Sequence, residues 1–341
     1  MRRFGIIGGG AWGTALAQVL RRAEREVVLW AREAEVVDSI NRARENPLFL
    51  PGVKLEAGIV ATAQLAEAAR AEAILLVPPA QHLRALARSL APHLAKGTPI
   101  VICTKGIEEK SGALMSEAAA DALPGMQLAV LSGPTFAAEV AMGLPTAVTL
   151  AMTDQALGKT LAEAFGTRGF RPYLSDDLVG AQVGGAVKNV LAIACGVIMG
   201  KKFGDNARAA VITRGLAEMV RLALAKGARA ETLMGLSGLG DLVLTCTGPQ
   251  SRNLSLGIAL GQGQKLADIL ASRRSVAEGV SSAAACVALA KKLGIEMPIS
   301  EAVEAILHQG ADVDRAIAAL LARPFKAEAA HAKLAPGKAR P

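Results

Sequence analysis

The fold is decided near the start of the chain, by the stretch Phe4-Gly5-Ile6-Ile7-Gly8-Gly9-Gly10-Ala11-Trp12-Gly13-Thr14. Phe4 to Ile7 is a short apolar run typical of a buried β-strand, and a helical stretch begins at Thr14. Between them, glycines recur in the pattern Gly8-x-Gly10-x-x-Gly13. The stretch therefore predicts a strand, a tight turn and a helix, which together open an α/β unit.

Each glycine of this turn has a predicted task. Gly8 permits the tight turn, Gly10 lets a pyrophosphate approach the backbone, and Gly13 lets the helix and the strand pack closely. The helix N-terminus also presents N–H groups and the positive end of its dipole to phosphates. We predict a dinucleotide-binding site here, with a Gly-rich turn that binds nothing as the alternative.

Strands and helices alternate over about the first 170 residues. Further strands are predicted from apolar runs at 27–30, 73–77, 100–104, 128–131, 146–151 and 171–174. Helical stretches dominate from about residue 176 onward. The pattern predicts three parts: an N-terminal α/β domain with a Rossmann-like doubly wound sheet (1–176), an all-α C-terminal domain (177–325) and a flexible basic tail (326–341).

The composition narrows the class of partner. Hydrophobic residues make up 52% of the chain, which supports a sizeable core, and the apolar excess of the helical domain suggests a homodimer. Aromatic residues make up only 3%, which argues against nucleic-acid binding by base stacking. The net charge of +8 is scattered, so it suits either a phosphorylated small molecule or merely a soluble surface. We expect a small phosphorylated substrate and no nucleic acid.

Cysteine and hydropathy patterns bear on the compartment. The four cysteines lie in apolar segments without a C-x-x-C pair, which predicts reduced, buried thiols in a cytoplasmic protein. The four histidines lack metal-ligand spacing, so no metal is predicted. The longest strongly apolar run, 190–200, is too short to span a bilayer, and no membrane insertion is expected.

The end of the second predicted strand bears on the choice of cofactor. Sites for NAD usually place an acidic residue there, whereas this chain has Arg32 followed by Glu33. Arg32 can pair with the 2′-phosphate of NADP or stack over its adenosine. The sequence therefore favours NADP(H) and leaves NAD(H) possible; an ordinary exposed arginine is the alternative.

Two lysines are candidates for the chemistry. Lys105 follows one strand end and Gly133-Pro134-Thr135 follows the next, so both should reach the crevice at the carboxyl ends of the strands. A structural or solvated lysine is the alternative for Lys105. Lys188 lies in an apolar helix after Gly184 and Gly185, which suggests close approach of a ligand or another element. Burial and a nearby Lys105 would depress the pKa of Lys188, so that it exchanges a proton near neutral pH. A helix end paired with one acid is the alternative.

A third segment predicts an anion site. Ser251 is a good N-cap, and Arg252 and Asn253 then fall in the first turn of a helix. An arginine there is disfavoured by the helix dipole unless an anion lies nearby, and its guanidinium can hold a phosphate. Upstream, Asp241 lies beside glycines and is placed to hold a hydroxyl or to orient Lys188.

Taken in order, these segments resemble the bacterial NAD(P)-dependent glycerol-3-phosphate dehydrogenase family over about residues 4–322. The matching stretches are 8–16, 104–106, 132–137, 184–189, 213–219, 238–242, 251–253 and 278–279. The resemblance implies reversible reduction of dihydroxyacetone phosphate to sn-glycerol 3-phosphate, which supplies glycerophospholipid synthesis.

The resemblance also implies residue roles. Lys188 matches the catalytic lysine, the proton acceptor when glycerol 3-phosphate is oxidised, and Lys105 supports it electrostatically. The substrate-binding positions are Lys105, Gly133, Thr135, Lys188, Asp241, Ser251, Arg252 and Asn253. The cofactor-binding positions, including the three glycines of the turn, are Gly8, Gly10, Ala11, Trp12, Gly13, Arg32, Lys105, Ala137, Arg252, Val276 and Glu278.

Three departures from the family pattern and two rival functions remain in view. Ala11 stands where serine is frequent, 254–256 reads Leu-Ser-Leu where relatives often carry basic residues, and Ala277 replaces a common valine. The second departure could weaken phosphate binding. The rivals are a two-domain dehydrogenase of a hydroxy acid such as 6-phosphogluconate, and a non-catalytic NADP sensor or scaffold.

Overall fold

A computed structural model of the chain describes residues 1–272 and 277–324. Its N-terminal part contains one eight-stranded sheet, with the strands β1 Arg3–Ile7, β2 Glu26–Trp30, β3 Ile59–Thr62, β4 Ala73–Leu76, β5 Ile100–Ile102, β6 Leu128–Ser132, β7 Thr146–Met152 and β8 Phe170–Ser175. The strand order is β3-β2-β1-β4-β5-β6-β7-β8. Every neighbouring pair is parallel except β6 and β7, which are antiparallel.

Both faces of this sheet are covered. The helices of this part are α1 Ala11–Arg22, α2 Ala34–Ala43, α3 Leu65–Ala69, α4 Leu83–Leu90, α5 Met115–Ala122, α6 Ala137–Met142 and α7 Gln155–Phe165. Successive side chains of a strand point to opposite faces. Ile6 of β1 joins the apolar cluster that contains Leu16 and Leu20 of α1, whereas Ile7 joins a second cluster with Ala87 and Leu90 of α4.

The second part of the chain is helical throughout its described residues. Its helices are α8 Leu178–Gly200, α9 Gly204–Ala225, α10 Ala230–Leu233, α11 Asp241–Thr247, α12 Arg252–Gly261, α13 Leu266–Ala271, α14 Glu278–Lys292, α15 Pro298–His308 and α16 Val313–Leu321. A π-helical turn, Leu236–Gly240, leads directly into α11. Helix α8 is central, and α9, α11, α12 and α14 pack around it.

Helix α8 corrects one expectation from the sequence. The apolar run at 190–200 is the end of a 23-residue helix that is long and apolar enough to cross a membrane. Length therefore does not exclude a span. Burial explains the composition instead, because 83% of its most apolar window is buried inside the protein. Its apolar side chains form core with the neighbouring helices.

Helices α8 and α12 touch backbone to backbone. A Cβ added at Gly196 or Gly200 would lie 2.2 or 2.4 Å from a carbonyl oxygen of α12. A Cβ at Gly257 or Gly261 would lie 2.1 or 2.6 Å from a carbonyl oxygen of α8. Side chains of any size are excluded from this contact, so the two helices sit at the closest approach that their backbones allow.

The predicted fold class, a Rossmann-like doubly wound sheet followed by helices, is confirmed. All seven predicted strands are present, whereas β3 and helices α6, α7 and α11 were not predicted. Strand β3 was missed because it has only four residues and directly follows a Pro- and Gly-rich loop. The four cysteines are buried free thiols, as expected. The predicted tail, 326–341, lies outside the described residues.

Candidate active site

The backbone geometry of the Gly-rich turn (residues 8–13) fits the tasks predicted for its glycines. Gly8 has a φ of +132°, and a Cβ there would lie 2.8 Å from the Val77 carbonyl oxygen. A Cβ at Gly13 would lie 1.9 Å from the Gly8 carbonyl oxygen, so helix and strand meet only because it is glycine. A Cβ at Gly10 would meet no atom within 4 Å. The backbone at Gly10 therefore faces open space, as a pyrophosphate site requires.

The first residues of α1 lie beside this space. Ala11 and Trp12 open the helix, so their backbone N–H groups belong to its N-terminal turn. The indole Nε1 of Trp12 is buried without a hydrogen-bond partner in the part of the chain that the structure describes. A buried N–H donor without an acceptor is costly, and a bound ligand is one way to satisfy it. These features fit a bound dinucleotide.

Arg32 lies two residues beyond the end of β2. Its Nε and Nη2 atoms donate to Oε1 of Glu33 at 3.1 and 2.9 Å. The Arg32 side chain is 79% exposed and that of Glu33 is 27% exposed. The end of β2 thus offers both a cation and a carboxylate to the adenosine end of a cofactor.

The central feature of the site is the lysine cluster, which we define as Lys105, Asp241 and Lys188. Lys188 Nζ lies 2.5 Å from Asp241 Oδ1, and Lys105 Nζ lies 2.8 Å from Asp241 Oδ2. The carboxylate is fully buried, and each of its oxygens holds one ammonium. Three charges in one buried place leave a net positive site, which suits an oxygen that becomes anionic during a reaction.

The pKa of Lys188 is lowered to about 8. Burial is the main cause, the positive charge of Lys105 adds to it, and the carboxylate of Asp241 opposes both. The predicted depression is therefore confirmed. Of the alternative, a helix end paired with one acid, the position is wrong because Lys188 lies in the middle of α8, whereas the pairing with one acid, Asp241, is present.

The two glycines before Lys188 explain how the cluster forms. A Cβ at Gly184 would lie 2.1 Å from the carbonyl oxygen of Ser237, so the π-helical turn can press against α8 and deliver Asp241. A Cβ at Gly185 would lie 3.1 Å from Ser132 Oγ and 3.3 Å from Lys105 Cγ. The predicted close approach of another element is thus confirmed at both positions.

Lys105 also connects the cluster to the segment after β6. Its Nζ donates to the carbonyl oxygen of Gly133 at 3.0 Å and to Thr135 Oγ1 at 3.3 Å. Ala137 follows as the first residue of α6. The structure therefore brings Gly133, Thr135 and the lysine cluster together at the carboxyl ends of β5 and β6, where the sequence placed them.

Helix α12 begins as predicted. Ser251 Oγ accepts a hydrogen bond from the Leu254 N–H at 3.2 Å, which makes it the N-cap, and Arg252 is the first helical residue, with an exposed side chain. Asn253 is buried, and its Nδ2 donates to Asn189 Oδ1 at 3.0 Å while its Oδ1 accepts from the Gly279 N–H at 3.0 Å. Asn253 thus ties α12 to α8 and to α14.

Glu278 is the first residue of α14 and is partly buried. Burial raises the pKa of its carboxyl group, and the positive charges of Arg252, Lys188 and Lys105 partly offset that rise. Glu278, a cofactor position implied by the resemblance, therefore lies close enough to these three cations to interact with their charges. The other position implied on this segment, Val276, lies outside the described residues.

Sequence reasoning missed two polar partners of this site. Thr245 Oγ1 accepts from Lys188 Nζ at 3.1 Å and donates to the Asp241 carbonyl oxygen at 2.6 Å. Its spacing of four residues from Asp241 was the available signal, since such residues share one helix face. Asn189, the partner of Asn253, lay unassigned inside a matching stretch. Within 1–272 and 277–324, no group of three or more His, Cys, Asp or Glu is placed to hold a metal.

The fold and this geometry define the class of nicotinamide-dependent dehydrogenases: a Gly-rich turn follows β1, and a buried lysine cluster lies at the carboxyl ends of β5 and β6. Two family models match the chain. Residues 3–158 match the N-terminus of NAD-dependent glycerol-3-phosphate dehydrogenase, and residues 177–318 match its C-terminus. The chain belongs to the NAD-dependent glycerol-3-phosphate dehydrogenase family.

Individual relatives agree with this assignment. An NAD(P)+-dependent glycerol-3-phosphate dehydrogenase of Parvibaculum lavamentivorans is 61% identical over 96% of this chain and 98% of its own. One of Caulobacter vibrioides is 60% identical over 96% of this chain and 99% of its own. The crystal structure of glycerol-3-phosphate dehydrogenase from Coxiella burnetii superimposes with a TM-score of 0.91 at 41% identity, covering 94% of this chain and 99% of that one.

Proposed function

We propose that Lys188 is the proton-transfer residue of this enzyme, which interconverts dihydroxyacetone phosphate and sn-glycerol 3-phosphate with a nicotinamide cofactor. The observation that carries the proposal is the lysine cluster. A buried ammonium whose pKa is about 8 lies beside a second cation at the carboxyl ends of the strands. A general acid is most effective when its pKa lies near the working pH.

The residues act on the ketone oxygen in sequence. When bound, the nicotinamide supplies or removes the hydride at the substrate carbon. Lys188 donates a hydrogen bond and then its proton to the oxygen on which negative charge develops, and Lys105 stabilises that charge. Asp241 holds both ammonium groups in place, and Thr245 fixes the rotamer of Lys188. In the oxidation of glycerol 3-phosphate, neutral Lys188 accepts the hydroxyl proton.

The N-terminus of α12 holds the substrate phosphate in this proposal. Arg252 supplies a guanidinium fork, and the N–H groups of the first helical turn supply the positive end of the dipole. Ser251 and Asn253 fix this end of the helix through their own hydrogen bonds. Binding the phosphate there orients the ketone toward Lys188, which lowers the entropic part of the barrier.

For the cofactor, we propose a preference for NADPH with NADH accepted. Arg32 offers its guanidinium to a 2′-phosphate, and Glu33 beside it can accept a hydrogen bond from a ribose hydroxyl. The variant Arg32→Ala should raise the KM for NADPH by roughly tenfold and change that for NADH little. Equal changes for both cofactors would argue that Arg32 does not read the 2′ position.

The function is tested by mixing the purified protein with dihydroxyacetone phosphate and NADPH or NADH while nicotinamide absorbance is followed. Rapid oxidation is expected with both cofactors. If neither NADPH nor NADH is oxidised with this ketone, but NADP+ is reduced when 6-phosphogluconate is added, the hydroxy-acid dehydrogenase is favoured. Cofactor binding without turnover on either substrate would favour a sensor.

The setting of the enzyme is also proposed. We infer a cytoplasmic enzyme of glycerophospholipid synthesis, with a cofactor domain over 1–176 and a helical substrate domain over 177–325. Its buried free thiols suit a reducing compartment. We further propose a homodimer formed by the helical domain, since Met199 and Phe203 at the turn between α8 and α9 are 37% and 48% exposed. Light scattering that gives a monomer mass would overturn the dimer.

A further inference from the structure

Asn46 is a fully buried polar residue that the proposed mechanism does not use. It lies in the loop between α2 and β3, far from the lysine cluster in sequence. Its Nδ2 donates to the carbonyl oxygen of Gly9 at 2.9 Å and to Thr14 Oγ1 at 2.8 Å. Its Oδ1 accepts from the Phe49 N–H at 3.2 Å. The side chain therefore fastens this loop to the Gly-rich turn.

The contact with Gly9 has a consequence one residue further on. A peptide unit is planar and trans, so the carbonyl oxygen of Gly9 and the N–H of Gly10 lie on opposite sides of one rigid plate. Fixing the oxygen therefore fixes the direction of the N–H. Gly10 is the residue whose backbone faces open space, so that direction matters for a bound pyrophosphate.

The turn needs such a contact because of its composition. Gly8, Gly9 and Gly10 are consecutive, and glycine rotates about its backbone bonds more freely than any other residue. A peptide plate between two glycines can rotate at low cost unless something holds it. The Asn46 side chain donates to the Gly9 carbonyl oxygen at 2.9 Å, and the Thr14 hydroxyl adds a longer contact to the same oxygen at 3.5 Å.

We propose that Asn46 is a positioning residue for the cofactor, which pre-orders the Gly9–Gly10 peptide for the pyrophosphate. The inference rests on the proposed binding of a dinucleotide at this turn, and it adds a residue outside the turn that sets its affinity. Pre-ordering a site removes an entropic cost of binding, so its loss appears as weaker affinity. The hydrogen bonds of Asn46 do not involve the lysine cluster, so its loss leaves the residues proposed for proton transfer in place.

The test is direct measurement of NADPH binding to Asn46→Leu, by quenching of tryptophan fluorescence without substrate. Leucine is similar in size and uncharged, so it removes the hydrogen bonds without adding a charge. We expect the Kd for NADPH to rise by about tenfold. At saturating NADPH, kcat and the KM for dihydroxyacetone phosphate should stay within about twofold of the wild type.

Asn41→Leu is the matched control. Like Asn46, Asn41 makes side-chain hydrogen bonds to the main chain. It donates to the Ala61 carbonyl oxygen and accepts from the Ala61 N–H, each at 2.9 Å. It holds β3 and does not touch the turn. Its loss should leave the Kd for NADPH within about twofold of the wild type. An equal rise in both variants would overturn the proposal, because it would reflect general loosening of the domain.

A second variant keeps the test decisive if Asn46→Leu fails to fold. Thr14→Val preserves side-chain shape and removes the hydroxyl, which accepts from Asn46 at 2.8 Å and donates to the Gly9 carbonyl oxygen at 3.5 Å. We expect a rise in the Kd for NADPH of about threefold, smaller because the shorter hydrogen bond from Asn46 to the Gly9 carbonyl oxygen remains. An unchanged Kd in the variant that folds overturns the proposal. Lack of turnover in the wild type would instead contradict the proposed function. It would leave this proposal testable, because the NADPH titration requires only cofactor binding.

Discussion

The Gly-rich turn and the lysine cluster solve opposite problems. The turn is formed by six neighbouring residues, and it works through backbone groups and the absence of side chains. The cluster joins charged side chains that are 53 and 136 positions from Asp241 along the chain, and it works because burial removes water from them. Recognition of a common cofactor can be local, whereas placement of a reactive proton depends on the whole fold.

Removing the ammonium of Lys188 should separate the two regions most strongly. In Lys188→Met, the cluster loses its proton donor while the turn is untouched, so kcat should fall by roughly a thousandfold or more. The Kd for NADPH should stay near that of the wild type. Steady-state kinetics and a binding titration check this. Turnover comparable to the wild type would remove Lys188 from the mechanism.

The next largest effect should follow from Arg252→Ala, which tests whether the cluster depends on the neighbouring α12. Loss of a charged hydrogen bond to phosphate should raise the KM for dihydroxyacetone phosphate by roughly 10- to 100-fold. Arg315→Ala, which removes another exposed arginine from the first turn of a helix, is the control and should behave as wild type. A KM unchanged in Arg252→Ala would place the phosphate elsewhere.

Two glycine variants should divide the turn itself into a binding part and a folding part. Gly10 has a φ of −71°, which any residue adopts, so Gly10→Ala should fold normally and raise the Kd for NADPH by about tenfold. Gly13→Ala should lower the free energy of unfolding by about 3 kcal/mol or more, because its Cβ would meet the Gly8 carbonyl oxygen. Denaturant unfolding and NADPH titration check both; identical behaviour would contradict the division.

The mildest test uses pH. Reduction requires protonated Lys188, so its rate should decline as pH rises through about 8, while oxidation of glycerol 3-phosphate should increase over the same interval. Because the charge of Lys105 lowers the pKa of Lys188, Lys105→Met should move the declining limb of residual activity to higher pH. Rate profiles in both directions measure this. A limb that stays in place would show that the two lysines do not interact.

The same contrast explains what the sequence could and could not predict. The strand, the turn and α1 were predictable, because spacing and glycine content specify them locally. The cluster was partly predictable: Lys188 was recognised as a charge in an apolar helix, and its orientation by Asp241 was anticipated. Helix α11 was not predicted, since Leu242 to Cys246 is apolar and resembles a strand or loop of the core. Thr245 was therefore missed with it.

Sheet pairing shows a second limit. The sequence indicated β6 and β7 as strands but not that they run antiparallel. Pairing direction depends on how the chain returns, and the return through the six-residue helix α6 was not recognised. Likewise, the family resemblance implied that Asn253 binds substrate, whereas its hydrogen bonds to Asn189 and Gly279 depend on helices that only the fold brings together.

The backbone contact between α8 and α12 gives these two helices a fixed spacing. Lys188 lies on one of these helices and Arg252 begins the other, and the four glycines hold the two main chains in direct contact. The spacing between the main chains that carry the proposed proton donor and the proposed phosphate ligand is therefore set by this backbone contact. A fixed spacing of this kind should select a substrate by the distance between its ketone and its phosphate. We expect a ketone phosphate one carbon longer to be reduced much more slowly than dihydroxyacetone phosphate. Equal rates for the two ketones would mean that the helix spacing does not limit substrate length.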